Sequence, residues 1–321
     1  MHPGSIPFRL TLAVSLLLAL PASAAGPKSY VYKTVAGVKI EADVHALAGE
    51  AERPTVAWFH GGALMFGNRT AVPMQLVDLC RTNGFVLASF DYRLVPQTKI
   101  PAIVEDVTDG IVWLRKQGPK LFHADPNRLV VAGASAGGYL TLMAGCTAQP
   151  PPTALVSYWG FGDIAGDWTA RPNEQYRKWG LIPKEKAWEG VTKKILTNTD
   201  KANGRPQANL FNYLKQNGLW PEVATGFDPT REPEKFKPYC PIRNLTSKFP
   251  PTLFLHGTAD PDVPYQQSVD MKAALDALQI PARLITIEKG GHGLWGGDKK
   301  LVVQAFADSM EYIRQALTSA P

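Results

Sequence analysis

Gly133-Ala134-Ser135-Ala136-Gly137-Gly138 is where residue types and spacing in this chain first point to chemistry. A serine with glycine two positions away on either side suits a tight strand-to-helix turn, where only small neighbours let the backbone pass closely. Arg128–Ala132 reads as a strand and Ala136–Cys146 as a small-residue helix, so the required context is present. A serine on such a turn presents its hydroxyl as a nucleophile. The helix N-terminus behind it adds a positive dipole where a carbonyl oxygen would gain charge. That chemistry is acyl transfer. The five-residue pattern alone is common by chance, and its place between strand and helix is what gives it weight.

A serine nucleophile needs a base within hydrogen-bond reach, an acid to hold that base, and donors for the developing oxyanion. His60-Gly61-Gly62-Ala63 follows the strand Thr55–Phe59, and its backbone N–H groups suit the last task. Gly62 and Ala63, with the N–H of Ala136, are the expected oxyanion donors. His256-Gly257-Thr258-Ala259-Asp260-Pro261-Asp262 and Gly290-Gly291-His292-Gly293 each follow a late strand. Residues at the C-terminal ends of neighbouring strands can converge despite long sequence separations. Asp260 is the preferred acid because it lies nearer the strand end. Asp262 competes, its other reading being a cap for the helix beginning near Tyr265. Of the six histidines, His292 is the expected base. His2 lies in the leader segment, and His45 and His123 lie in unpromising strand and loop contexts. His60 and His256 end strands whose loops already have tasks.

Short β-rich runs alternate with helical patterns and define what must position these groups. Tyr30–Thr34 and Val38–Val44 read as an antiparallel pair, followed by the strands Thr55–His60, Phe85–Tyr92, Arg128–Ala132, Thr153–Tyr158, Thr252–Leu255 and Arg283–Ile287. Helices are expected at Pro73–Thr82, at Ile103–Gln117 ending at Gly118, at Ala136–Cys146, at Gln266–Leu278 and at Leu301–Leu317. Long apolar strands separated by helices indicate a mostly parallel sheet, here eight-stranded, covered on both faces. The rhythm breaks between Gly160 and Cys240. This span holds Trp168, Trp179, Trp188 and Trp220 and is too long for a structureless loop. It is read as a cap inserted over the sheet's C-terminal edge, at about 160–240; the alternative is a peripheral elaboration packing on itself.

His60–Ala63, Asp91-Tyr92-Arg93-Leu94-Val95-Pro96, Ile100-Pro101, Glu105-Asp106, Trp113-Leu114 and Gly133–Gly138 together resemble the hormone-sensitive-lipase-like α/β-hydrolases. The match is closest to the bacterial esterase branch that includes feruloyl and acetyl esterases. His256–Ser268 instead resembles the prolyl-oligopeptidase-like branch. The resemblance covers about residues 30–158 and 250–317 and leaves out the cap. It implies an α/β-hydrolase fold, a Ser135/Asp260/His292 triad in the chain order usual for that fold, and a bracing role for Asp91-Tyr92-Arg93 beneath the oxyanion loop. Ala63 stands where the lipase-like members often carry a third glycine, which narrows the conformations open to that loop.

Those residues make hydrolysis of carboxylic esters, of small-molecule or polysaccharide type, the leading expectation. A serine peptidase of the prolyl-oligopeptidase-like type is the alternative. Peptidases of that branch usually carry a large N-terminal propeller, for which the residues ahead of the first strand are too few. A non-catalytic binding protein on the same fold is the third reading.

Bulk properties fit a globular chain. It has 321 residues, 45% hydrophobic and 19% charged. Met1–Arg9, the apolar run Leu10–Leu20 and Pro21-Ala22-Ser23-Ala24 read as a secretory signal over 1–24, cut after Ala24 or Ala25. The apolar run is too short to span a bilayer, which takes about 20 residues. The expected compartment is therefore extracellular or periplasmic, with residues 25–321 as the hydrolase domain and no stable membrane insertion. The net charge of +6 is dispersed, with no basic cluster that marks a nucleic-acid surface. Cys80, Cys146 and Cys240 form no metal-binding spacing, and neither metal nor cofactor is expected. Cys80 and Cys146 fall in apolar helical patterns and read as buried small hydrophobes, leaving open whether Cys240 pairs.

Overall fold

A computed structural model describes residues 26–199 and 204–319; the expected signal segment, 1–24, lies outside the described residues. Eight strands form one sheet. They are β1 (Lys28–Val35), β2 (Val38–His45), β3 (Arg53–Phe59), β4 (Val86–Phe90), β5 (Ala124–Ala134), β6 (Ala154–Tyr158), β7 (Thr252–Gly257) and β8 (Ala282–Ile287). The spatial order is β1-β2-β4-β3-β5-β6-β7-β8. The β1–β2 hairpin is antiparallel, β2 runs antiparallel to β4, and every pairing from β4 to β8 is parallel. Such a sheet buries both faces, which is why β4, β6 and β7 are apolar along nearly their whole length.

The helices are α1 (Met74–Asn83), α2 (Ile100–Phe122), α3 (Ala136–Thr147), five within residues 160–240, α9 (Gln266–Ala277) and α10 (Lys299–Thr318). Strand residues alternate between two cores. Ala57, Phe59, Phe90 and Val131 face α2, α3 and α9, whereas Val56, Trp58, Val130 and Ala132 face α1 and α10. Among the described residues no helix is long and apolar enough to cross a membrane. Cys80 and Cys240 are buried, Cys146 is half-buried, and all three are free thiols.

One helix end departs from expectation. α2 does not stop at Gly118 but runs through Gly118 and Pro119 to Phe122, capped by a left-handed His123 whose N–H bonds to Gly118 O. Pro119 costs one backbone donor, which a helix buried along one face can absorb. Gly118 serves close packing: a Cβ there would lie 2.9 Å from Ala124 Cβ, where the chain turns into β5.

Residues 160–240 fold as α4 (Asp167–Ala170), α5 (Glu174–Arg177), α6 (Lys184–Trp188), α7 (Gly204–Asn217), α8 (Trp220–Thr225) and two 3-10 turns. Their buried side chains Leu210, Leu214 and Trp220 share one core cluster with Leu64 and Met65 of the loop after β3. The segment thus packs on the loop that carries the proposed oxyanion donors.

Candidate active site

Ser135 sits between β5 and α3 with φ +56° and ψ −119°, a conformation that L-residues adopt only under constraint. The constraint is close packing of the turn against β3. A Cβ on Gly137 would lie 1.9 Å from Phe59 O, so no other residue fits there. The Ser135 N–H bonds to Tyr158 O at 2.8 Å, tying the turn to β6. The result holds the Ser135 hydroxyl at the C-terminal edge of the sheet.

His292 and Asp260 reach the same point from the loops after β8 and β7. His292 Nε2 is 2.9 Å from Ser135 Oγ, and His292 Nδ1 is 2.8 Å from Asp260 Oδ2. A carboxylate only accepts, so Nδ1 carries the ring proton and Nε2 is free to accept from the serine. Asp260 Oδ1 takes the N–H groups of Asp262 and Val263 at 2.8 and 2.9 Å. Burial acts to raise this acid. The hydrogen bonds from His256 and His292, the charge of His292 and the Val263 N–H overcome it and hold Asp260 well below the usual carboxylate range.

Asp262, the competing acid, does not reach His292. Nor does it cap α9, whose N-cap residue Tyr265 makes no side-chain cap bond. Its carboxylate instead accepts the Tyr176 hydroxyl from α5. His256, set aside in the sequence, proves to be a second partner of Asp260. Its Nε2 lies 3.2 Å from Asp260 Oδ2 and 3.0 Å from Val263 O, while its Nδ1 meets Ser268 Oγ at 2.7 Å. The four-residue spacing from His256 to Asp260 across the end of β7 was the available signal.

Gly62 (φ +114°), Ala63 (φ +54°) and Leu64 (φ +60°) form three successive left-handed residues facing the serine turn. A Cβ on Gly62 would lie 2.5 Å from Phe66 O. Among the described residues the N–H groups of Gly62, Ala63 and Ala136 donate to no acceptor. Free backbone donors beside a nucleophile are what an oxyanion needs. Non-glycine residues in this region carry strain, so the loop must be held from outside. Trp220 Nε1 of α8 donates to Ala63 O at 3.2 Å, Val95 N to Leu64 O at 2.8 Å, and Gln207 Nε2 of α7 to Met65 O at 3.3 Å.

The loop is also braced from below. The Tyr92 hydroxyl donates to His60 O at 2.8 Å, and the two rings stack at 4.3 Å. Burial pulls the His60 imidazole down to about 4, the Gly61 carbonyl opposing, so it stays neutral at pH 7. Arg69 spans Asp43 and Asp91 at 2.7 and 2.6 Å. Arg93 grips the fully buried Asp106 at 2.7 Å.

Trp220→Phe keeps an aromatic ring at the cap but deletes the bond to Ala63 O. With about 1 kcal/mol removed from the loop's hold, the rate on a small ester should fall roughly fivefold. Steady-state kinetics on p-nitrophenyl acetate check this, and an unchanged kcat would show that the cap does not hold the loop.

Over the serine lies a cavity of about 260 Å³ whose walls include Gly62, Phe161, Trp168, Phe211, Trp220 and His292. Three of these come from α4, α7 and α8, which the sequence could assign to a cap but not to the pocket wall.

The strand order, the serine on its turn after β5, and the acid and histidine after β7 and β8 are arranged as in the α/β-hydrolase fold. Two family models match the chain, BD-FAE over residues 43–158 and the prolyl oligopeptidase family over residues 202–320, the same two branches that the motifs resemble. An α/β-hydrolase superfamily protein from Enterococcus faecalis superposes with a TM-score of 0.71 at 21% identity, covering 91% of this chain and 100% of that one. A truncated carbohydrate esterase from gut microbiota gives a TM-score of 0.64 at 21% identity, with 93% and 99% covered. Esterase LipC of Mycobacterium tuberculosis is 27% identical over 75% of this chain and 53% of its own length. The non-reducing polyketide synthase adrD of Penicillium rubens is 25% identical over 82% of this chain, which spans only 12% of that protein.

Proposed function

We propose that this chain is a secreted or periplasmic serine hydrolase that cleaves carboxylic esters through an acyl-enzyme. The carrying observation is the 2.9 Å approach of His292 Nε2 to Ser135 Oγ, with Asp260 2.8 Å behind it. Ser135 Oγ attacks the ester carbonyl as His292 takes its proton. The oxyanion forms against the N–H groups of Gly62, Ala63 and Ala136. The C–O bond then breaks, and His292 returns the proton to the departing alkoxide. Water, deprotonated by the same imidazole, attacks the acyl-Ser135 carbonyl and releases the acid. The esterase names carried by LipC and the gut carbohydrate esterase support the choice of ester, and the character of residues 1–24 supports export.

The prolyl oligopeptidase match over residues 202–320 favours a second reading, a serine peptidase. Against it stands the pocket volume of about 260 Å³, suited to a small acyl or alcohol group rather than an extended peptide. A fluorophosphonate probe should label Ser135 covalently, as mass spectrometry of the modified peptide would show. Absence of labelling supports a non-catalytic chain. With p-nitrophenyl acetate and a panel of dipeptide amides in parallel, the ester should turn over faster; faster amide cleavage reverses the assignment.

A further inference from the structure

Lys215, on α7, lines the same cavity as Ser135 and has no part in the acyl-transfer chemistry. Lysines normally run their stems along apolar surface and leave the ammonium in water. This one is only 4% exposed. Its Nζ lies 5.1 Å from the Trp168 ring centroid and 5.6 Å from that of Tyr176. Its one hydrogen bond is a long contact of 3.3 Å to Asp262 O. The Asp262 carboxylate is engaged by the Tyr176 hydroxyl, and among the described residues no carboxylate comes within 4.0 Å of Nζ.

A buried ammonium in this state is under-compensated. Burial pulls Lys215 down to about 8, with Asp262 and Asp260 opposing. The two aromatic faces offset part of the cost, but an apolar side chain of similar length would fill the space without any. An ammonium held beside an empty volume, two aromatic rings and a nucleophile is suited to an acceptor that arrives with the ligand. The cavity wall carries one ammonium, the Asp262 carboxylate already engaged by Tyr176, and no arginine, which fits a monoanion better than a phosphate, for which a guanidinium fork is the usual partner.

We infer that Lys215 Nζ forms an anion subsite beside Ser135, so that the favoured substrates are esters carrying a free carboxylate next to an aromatic or other apolar body. The inference rests on the ester-hydrolase reading only for the word substrate; the subsite itself is a matter of binding. The carboxylate would supply the charge-assisted hydrogen bond that Lys215 lacks, while Trp168 and Phe211 cover the apolar body.

Calorimetric titration of the unmodified protein with 3-phenylpropionate and with 3-phenylpropanamide tests this without any turnover. The two ligands share size and shape and differ in charge. The carboxylate should bind about tenfold more tightly, the ratio expected when a charged hydrogen bond replaces a neutral one. In Lys215→Met the difference between the two should vanish. Equal affinities in the unmodified protein, tighter binding of the amide, no saturable binding of the carboxylate, or a preference that survives in Lys215→Met would each overturn the subsite. Since no ester is cleaved in this experiment, its failure is distinct from a failure of the hydrolase reading, which the fluorophosphonate probe reports.

Discussion

Ser135→Ala should reduce turnover of p-nitrophenyl acetate by about 10⁶-fold, leaving only what the oxyanion donors and binding supply. The removed atom is the one that attacks, and no neighbouring nucleophile lies within hydrogen-bond reach of His292 Nε2 among the described residues. The fold should survive, because the hydroxyl makes no other hydrogen bond among the described residues and Ala keeps the Cβ. A companion variant separates the chemistry from the backbone. Ser135 is held at φ +56°, a region that glycine enters at little cost. Ser135→Gly should therefore be equally inactive yet unfold at a higher temperature than Ser135→Ala, by the equivalent of about 1 kcal/mol. Scanning calorimetry of the two inactive proteins reads that difference. Residual activity above about 10⁻³ in Ser135→Ala would place the nucleophile elsewhere.

That the serine could be found in the sequence follows from how little freedom its surroundings have. A strand that must be apolar on both faces, a turn that admits no side chain at Gly137 and a helix rich in small residues leave a local imprint on residue type. The same holds for Gly62 and for the strand ends that carry Asp260 and His292. The cap was legible only as a break in the rhythm. Four of its five helices have six residues or fewer, and α4 and α5 have four each, too few to show a helical period. Their placement depends on long-range bonds such as Trp220 to Ala63 and Gln207 to Met65, which leave no local pattern. Lys215 was unreadable for the same reason. In sequence it is one lysine among many, and only the tertiary burial of α7 makes its charge unusual. Gly118 was misread because its requirement comes from Ala124 beside it in space, not from the end of a helix.

Asp260→Asn should lower kcat by about 10⁴-fold while leaving the backbone in place, and the cause is the orientation that the amide is forced to take. Asp260 Oδ1 accepts the N–H groups of Asp262 and Val263 at 2.8 and 2.9 Å, so the asparagine must keep its carbonyl oxygen on that side. Its NH₂ then occupies the position of Oδ2 and faces His292 Nδ1, 2.8 Å away in the parent protein. A donor there can meet only an unprotonated Nδ1, which moves the ring proton to Nε2 and points it at Ser135 Oγ. The imidazole can no longer accept the serine proton, and the cation that would form in the transition state loses its counter-charge. His256 Nε2, which also donates toward Oδ2 at 3.2 Å, would meet the same NH₂ and would have to turn its hydrogen bond wholly to Val263 O. Asp262→Asn provides the comparison, since its carboxylate touches Tyr176 and not His292. Its effect on p-nitrophenyl acetate turnover should be smaller than that of Asp260→Asn by two orders of magnitude or more, roughly the gap between disturbing a pocket wall and inverting the tautomer of the base. Equal losses in the two variants would return Asp262 to contention as the orienting acid.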